Sequence, residues 1–169
     1  MSYSILRTCP SCGASNRVPI KHLADKGRCG SCKGALPPLR SPFEANAAGF
    51  TAIVNGARVP VFVDFWAAWC GPCKMAAPEV AALARDVAGR AVVLKVDTDA
   101  NAMIAERFGI QSIPTFIVFR GGQPVFRRSG VAPRSEMRSW IEQSLPHGRG
   151  SETTRGPVLQ SRTSGRSRS

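Results

Sequence analysis

A chain of 169 residues is long enough for one full domain with small additions, and a hydrophobic fraction of 43% allows it a sizeable core. No run approaches the ~20 apolar residues that cross a bilayer, and residues 1–7 lack the basic start and apolar stretch of a secretory signal; a cytoplasmic setting, with thiols reduced and no membrane partner, is expected. The net charge of +12 invites a nucleic-acid reading, but residues 41–145 hold only about +2 of it, against about +6 in residues 1–40 and about +4 in residues 146–169, which argues against that partner.

The six cysteines form three C-x-x-C pairs, Cys9/Cys12, Cys29/Cys32 and Cys70/Cys73. Pairs this close suit metal chelation or redox exchange better than the long-range cross-links of a secreted disulfide scaffold. Within residues 1–40, Cys9-Pro10-Ser11-Cys12 and Cys29-Gly30-Ser31-Cys32 are similar knuckles separated by 16 residues, the spacing of a four-cysteine zinc ribbon. One structural zinc on Cys9, Cys12, Cys29 and Cys32 is therefore expected, with two redox-active disulfides as the alternative. His22 lies between the knuckles but off their spacing and is not counted as a ligand. So few large apolar side chains precede the Pro37-Pro38 linker that this segment needs the metal in order to fold.

Residues 41–145 alternate between apolar strands and amphipathic helices. A short edge strand at 43–46 and a short helix at 50–54 lead into residues 59–66, nearly all apolar, as a strand covered on both faces should be. A helix follows over 71–87, with Met75, Val80, Leu83 and Val87 assigned to its buried stripe and Pro78 expected to kink it. Residues 91–96 read as a second buried strand, and 102–108 as a helix stopped by Gly109. Residues 115–119, the Gly121-Gly122 turn and residues 125–128 form a hairpin. The closing helix, 133–145, sets Met137, Trp140, Ile141 and Leu145 at helical spacing. The order β-α-β-α-β-α-β-β-α implies an α/β domain with a mixed central sheet and helices on both faces, complete enough to fold alone. Residues 146–169 are mostly Gly, Ser, Thr and Arg, with almost nothing to bury, and read as a disordered basic tail.

Cys70-Gly71-Pro72-Cys73 falls where a buried strand meets a helix. A nucleophilic thiol needs a lowered pKa, which the unpaired N–H groups and positive dipole end of a helix N-terminus supply. The spacing sets the second cysteine one turn inside, within reach of the first, and Pro72 costs nothing in a first turn. Asp64 and Lys95 interrupt otherwise apolar strands. Burying either charge alone is costly, so pairing or a shifted pKa is expected, the alternative being side chains that reach water.

The run Trp69-Cys70-Gly71-Pro72-Cys73-Lys74, preceded by Val63-Asp64-Phe65-Trp66-Ala67 and followed by Pro78 and Ile113-Pro114-Thr115, resembles the thioredoxin family. With the front cysteines added, residues 5–145 are similar to its zinc-ribbon bacterial branch, the thioredoxin 2 type. The resemblance implies a thioredoxin fold preceded by a small zinc ribbon, and a protein-disulfide reductase in which Cys70 attacks and Cys73 resolves. It implies disulfide-containing protein substrates, recycling by a flavoprotein thioredoxin reductase that draws on NADPH, and no cofactor in the redox site; a monomer is expected. By the same resemblance, Asp64 is the buried acid that manages the Cys73 proton, with Lys95 as its neighbour. Pro114 would be cis, although most X–Pro bonds are trans. Trp69, Gly71, Pro72, Ile113, Pro114, Gly130 and Val131 would form a shallow face for an extended substrate. Gly130-Val131 stands where the family more usually has Gly-Ala, and the tail lies outside the family pattern.

Overall fold

The computed structural model describes residues 3–145; the tail, residues 146–169, lies outside the described residues. Strands β1 (Ser4–Thr8) and β2 (Ser15–Pro19) pair antiparallel around the first knuckle, and β3 (Gly27–Arg28) and β4 (Ala35–Leu36) pair around the second. None of these strands shows in the sequence, because Ile5 and Val18 are the only buried residues of β1 and β2 and leave no period of two to see.

From there the predicted order holds: β5 (Phe43–Glu44), α1 (Ala47–Gly56), β6 (Val61–Trp66), α2 (Gly71–Asp86), β7 (Val92–Asp97), α3 (Ala102–Arg107), β8 (Thr115–Arg120), β9 (Gln123–Ser129) and α4 (Arg134–Ser144). Helix α1 starts earlier than its apolar run, because Asn46 caps it: the Asn46 Oδ1 accepts from the Gly49 N–H at 2.8 Å. The β8–β9 turn has positive φ at both Gly121 and Gly122 (56° and 82°), and a Cβ on Gly122 would lie 2.6 Å from the Asn55 side chain.

The five strands lie in the order β5-β7-β6-β8-β9, with β6 central, parallel to β7 and antiparallel to β8. Alternation along β6 sorts the core into two layers. Val61, Val63 and Phe65 face α1, where Phe50, Ile53, Ile117 and Phe119 join them. Phe62 faces α2 and α4 among Val80, Leu83, Phe116, Met137, Trp140 and Ile141.

The front segment has no separate core. Ile5, Val18, Ile20, Leu23, Leu36 and Leu39 belong to the same buried cluster as α1 and β6. Ile20 seats against the end of α1, where a Cβ added to Gly56 would come within 3.1 Å of the Ile20 Cγ2. Arg7 ties the linker down by donating to the carbonyls of Pro37 (2.6 Å) and Pro38 (3.2 Å).

Candidate active site and four-cysteine cluster

Strand β6 ends at Trp66, and the chain turns through residues 67–69 into α2, with the Cys70 N–H donating to the Ala67 carbonyl at 3.2 Å. Cys70 is the N-cap of α2, and its Sγ accepts from the Cys73 N–H at 3.1 Å. Pro72 occupies the first turn, where no N–H is missed. A disulfide joins Cys70 to Cys73 across a Cα separation of 5.3 Å, and both are buried, at 3% and 4% exposure. When the bond is reduced, the sixteen-residue helix and its free N–H groups favour an anionic sulfur at Cys70.

Elements remote in sequence frame this pair. The Ile113–Pro114 peptide is cis, and the Ile113 carbonyl oxygen lies 3.6 Å from the Cys70 Sγ. The Gly130 N–H donates to the Pro114 carbonyl at 2.9 Å, with φ of 93° at Gly130, a backbone suited to glycine. Gly71, Pro72, Gly130 and Val131 are exposed, Ile113 is half-buried and Pro114 is buried. Trp69 is 70% exposed, its indole held by an Nε1–H bond to Asp99 Oδ2 at 2.9 Å. Trp69 and Ile113 share a shallow depression of ≈ 370 Å³ with Thr98, Ile110, Gln111 and Ser112. Asp99, Thr98 and Ser112 were not singled out from the sequence; the Asp97-Thr98-Asp99 run at the end of β7 is the signal that places the first two, since Asp97 Oδ1 accepts from the Asp99 N–H in a tight turn, while Ser112 comes from the segment leading into Ile113–Pro114.

One expectation is corrected. Met75 is not on the buried stripe of α2 but 69% exposed, and the buried positions beside Val80 and Leu83 are Cys73, Ala76 and Ala84. At 100° per residue Met75 stands about 140° from Val80 around the helix, and small residues let α2 approach the sheet.

Asp64 shares the α2 face of β6 with Phe62 and is 1% exposed, and its Oδ1 has no hydrogen-bond partner. Burial pushes its carboxyl up to about 7, against the pull of Lys95 and with a small push from Glu44. Strand register places Glu44, Lys95 and Asp64 in one row across β5, β7 and β6. Trp66 joins this group while packing beside Ala67, Cys70 and Cys73: it is half-buried and its Nε1–H donates to Glu44 Oε1 at 3.1 Å.

At the other end of the chain, Cys9, Cys12, Cys29 and Cys32 are free thiols whose four sulfurs lie within 4.8 Å of one another. The Cys9–Cys32 and Cys12–Cys29 pairs are each 3.7 Å apart, and a tetrahedron with Zn–S bonds of ~2.3 Å has edges of about 3.8 Å. The N–H groups of Cys32 and Ser31, with the Asn16 amide, hold the Cys29 thiol down at about 6. Cys32 is pushed up to about 11: the Gly34 N–H favours its thiolate, but Cys12 and the other crowded thiols oppose it. Four sulfurs so placed cannot all ionise without a cation among them, which is what a soft divalent metal supplies. His22 turns away to Asp25, 2.6 Å from its Oδ2.

The family model for thioredoxin matches residues 41–143. The chain belongs to the thioredoxin family. The model for the N-terminal region of thioredoxin 2, a zinc ribbon, matches residues 8–34. Thioredoxin C-3 of Corynebacterium nephridii is 41% identical over 142 residues, 84% of this chain and 97% of that protein. Thioredoxin 1 of a Nostoc species is 47% identical over 96 residues, covering 57% of this chain and 90% of the relative. Among solved structures, a mutant thioredoxin from Halobacterium salinarum superposes with a TM-score of 0.59 at 30% identity, covering 65% of this chain and 95% of that one. With these thioredoxins as relatives, the chain is a thiol–disulfide oxidoreductase with a thioredoxin fold and an N-terminal ribbon of the zinc-binding type. Among the described residues no helix is long and apolar enough to cross a membrane.

Proposed function

We propose that the protein is a cytoplasmic protein-disulfide reductase, with Cys70 as the attacking sulfur, Cys73 as the resolving one, and an NADPH-dependent flavoprotein reductase as the source of electrons. The observation that carries this reading is the Cys70–Cys73 disulfide at the N-terminus of α2, while the other four cysteines remain free and clustered. In the reduced protein the Cys70 thiolate attacks a substrate disulfide; one substrate sulfur leaves as a thiolate and a mixed disulfide forms. Cys73 then loses its proton and attacks Cys70, releasing the second substrate thiol and restoring the Cys70–Cys73 bond. Two electrons and two protons return the pair to the dithiol, so a reductase partner is required. Asp64, held at about 7 beneath α2, takes up the Cys73 proton, and Lys95 moderates its pKa.

Trp69, Gly71, Pro72, Ile113, Pro114, Gly130 and Val131 form the docking face, where the Ile113 backbone adds a substrate strand. Residues 1–40 form the ribbon, residues 41–145 the thioredoxin domain and residues 146–169 the tail. One zinc on Cys9, Cys12, Cys29 and Cys32 cross-links the two knuckles, and the redox pair works without a bound cofactor. The test is reduction of a model protein disulfide, such as insulin, by the full chain with NADPH and a flavoprotein thioredoxin reductase, with zinc content measured on the same sample. Steady NADPH consumption with one zinc per chain is expected. Turnover with dithiothreitol but none with the flavoprotein would remove the recycling partner, and no turnover with either would remove the reductase reading.

A further inference from the structure

A depression on the described surface lies on the front ribbon, away from the redox pair. It measures ≈ 750 Å³ and runs between β2 and β3, with Arg17, Lys26 and Arg28 on its walls. All three are exposed, and none of their ammonium or guanidinium groups takes part in a salt bridge among the described residues. The single acid on the wall, Asp25, is already held by His22 at 2.6 Å. Val18 and Leu36 give the floor an apolar base.

The walls are also open backbone edges. β2 pairs only with β1, and β3 only with β4, so each keeps one edge free among the described residues. Along the β1–β2 ladder the Ile20 N–H donates to the Tyr3 carbonyl. By alternation Val18 and Asn16 also point their N–H and C=O groups inward, which leaves those of Arg17 directed away from β1. A groove with free strand edges, cationic walls and an apolar floor is complementary to an extended polypeptide that alternates acidic and apolar side chains.

We propose that this ribbon groove binds an extended acidic segment of a protein partner, and that it adds affinity for disulfide substrates that carry such a segment. Nucleic acid fits the groove less well, because no Phe, Tyr or Trp lines it to stack a base and its one imidazole, His22, is held by Asp25. The protein's own tail is excluded by charge, with five Arg against one Glu in residues 146–169. The groove is separate from the Cys70–Cys73 site, so a substrate held at both would gain through effective concentration. That second clause rests on the reductase reading; the binding itself does not.

The test uses the zinc-loaded full chain and a fluorescent, cysteine-free peptide alternating Glu and Val, read by anisotropy at two salt concentrations. A single-stranded oligonucleotide of equal charge is titrated in parallel. Saturable peptide binding is expected, stronger than oligonucleotide binding and weakened about tenfold in Arg17→Glu/Lys26→Glu. Zinc content and insulin turnover should be unchanged in that variant. In the unaltered protein, peptide-induced NMR shifts should fall on residues 15–19 and 26–28, which tests the groove without any substitution. A substrate disulfide bearing the acidic segment should show a KM lowered by the groove in the unaltered protein only. Equal or tighter oligonucleotide binding, peptide shifts elsewhere, or affinity indifferent to the charge reversal would each overturn the groove proposal. Failed insulin turnover alongside intact peptide binding would instead count against the reductase reading.

Discussion

Asp64 and Lys95 sit opposite each other in the parallel pairing of β6 with β7, yet the lysine's charge goes elsewhere: its Nζ lies 4.2 Å from the centroid of the Trp66 ring. The carboxylate is left with an Oδ1 that no hydrogen bond reaches. A cation–π contact on a half-buried ring satisfies the ammonium, and the acid bears the cost of burial.

That cost has a sign and a pH window. The Asp64 carboxyl is raised from 3.8 to about 7, so between these values the folded protein holds a proton that the unfolded chain has released. The contribution to stability is therefore lost as pH rises from about 4 through about 7, and the penalty reaches up to about 4 kcal/mol above that range. Asp64→Asn should raise the melting temperature at pH 8, change it little at pH 4, and slow release of substrate from the mixed disulfide. Melting curves at the two pH values and stopped-flow release measurements check this. Equal stability at both pH values with release at the unaltered rate would show that the carboxylate is neither penalised nor used.

The buried acid was legible as an anomaly, a charge inside Val61–Trp66, but its surroundings were not. Glu44 enters the row only through the register of β5 on β7, which no local pattern encodes. The order of elements from residue 41 onward could be read because each strand and helix carries its own period and its own stop, such as Gly109 with φ of 60°. The knuckles could be read because ligand spacing is local. Three things could not. Met75 is assigned from the sequence to one stripe with Val80 and Leu83, whereas its angular position on α2 turns it to solvent. The ribbon strands were too short to show a period. The sharing of one core between ribbon and sheet depends on tertiary contacts of scattered apolar residues, Ile5, Val18, Ile20, Leu23, Leu36 and Leu39, set in a polar stretch.

The unequal places of the two redox cysteines predict unequal mutants. Cys70 caps α2 and lies against the Ile113 carbonyl, whereas Cys73 is one turn inside. Cys70→Ser should abolish disulfide reduction. Cys73→Ser should still attack but not release, and so accumulate a mixed disulfide that mass spectrometry assigns to Cys70. Steady turnover by Cys70→Ser would reverse the assignment.

Because Ile20 is 6% exposed in the core shared with α1, the ribbon should stabilise the redox domain without taking part in its chemistry. Ile20→Ala should cost about 2–5 kcal/mol, the usual range for emptying such a site. Removal of residues 1–40 should lower the melting temperature further, since Leu23, Leu36 and Leu39 leave the same cluster. Insulin reduction at 25 °C should survive in both variants, because the strand and helix order around Cys70 is intact. Denaturant melts monitored beside the activity assay test this. A truncated protein that melts like the full chain would mean the ribbon's apolar contacts contribute nothing.

Trp69 and Trp140 are the same residue type in opposite surroundings, and the contrast separates docking from packing. Trp140 is 6% exposed and stacks on Phe126 with ring centroids 4.8 Å apart, so Trp140→Ala should cost about 3–5 kcal/mol of stability. Trp69 is 70% exposed, and its indole Nε1–H is bonded to Asp99 Oδ2 at 2.9 Å. A large ring held rigidly in water beside a reactive pair gains most when a partner covers it. Trp69→Ala should leave the melting temperature nearly unchanged and raise the KM for a protein disulfide about fivefold to tenfold, with a smaller effect on kcat. Asp99→Ala, which frees the ring without removing it, should raise KM by less. If Trp69→Ala instead lowers the melting temperature as Trp140→Ala does and leaves KM alone, the indole supports the fold, and the substrate docks on another face.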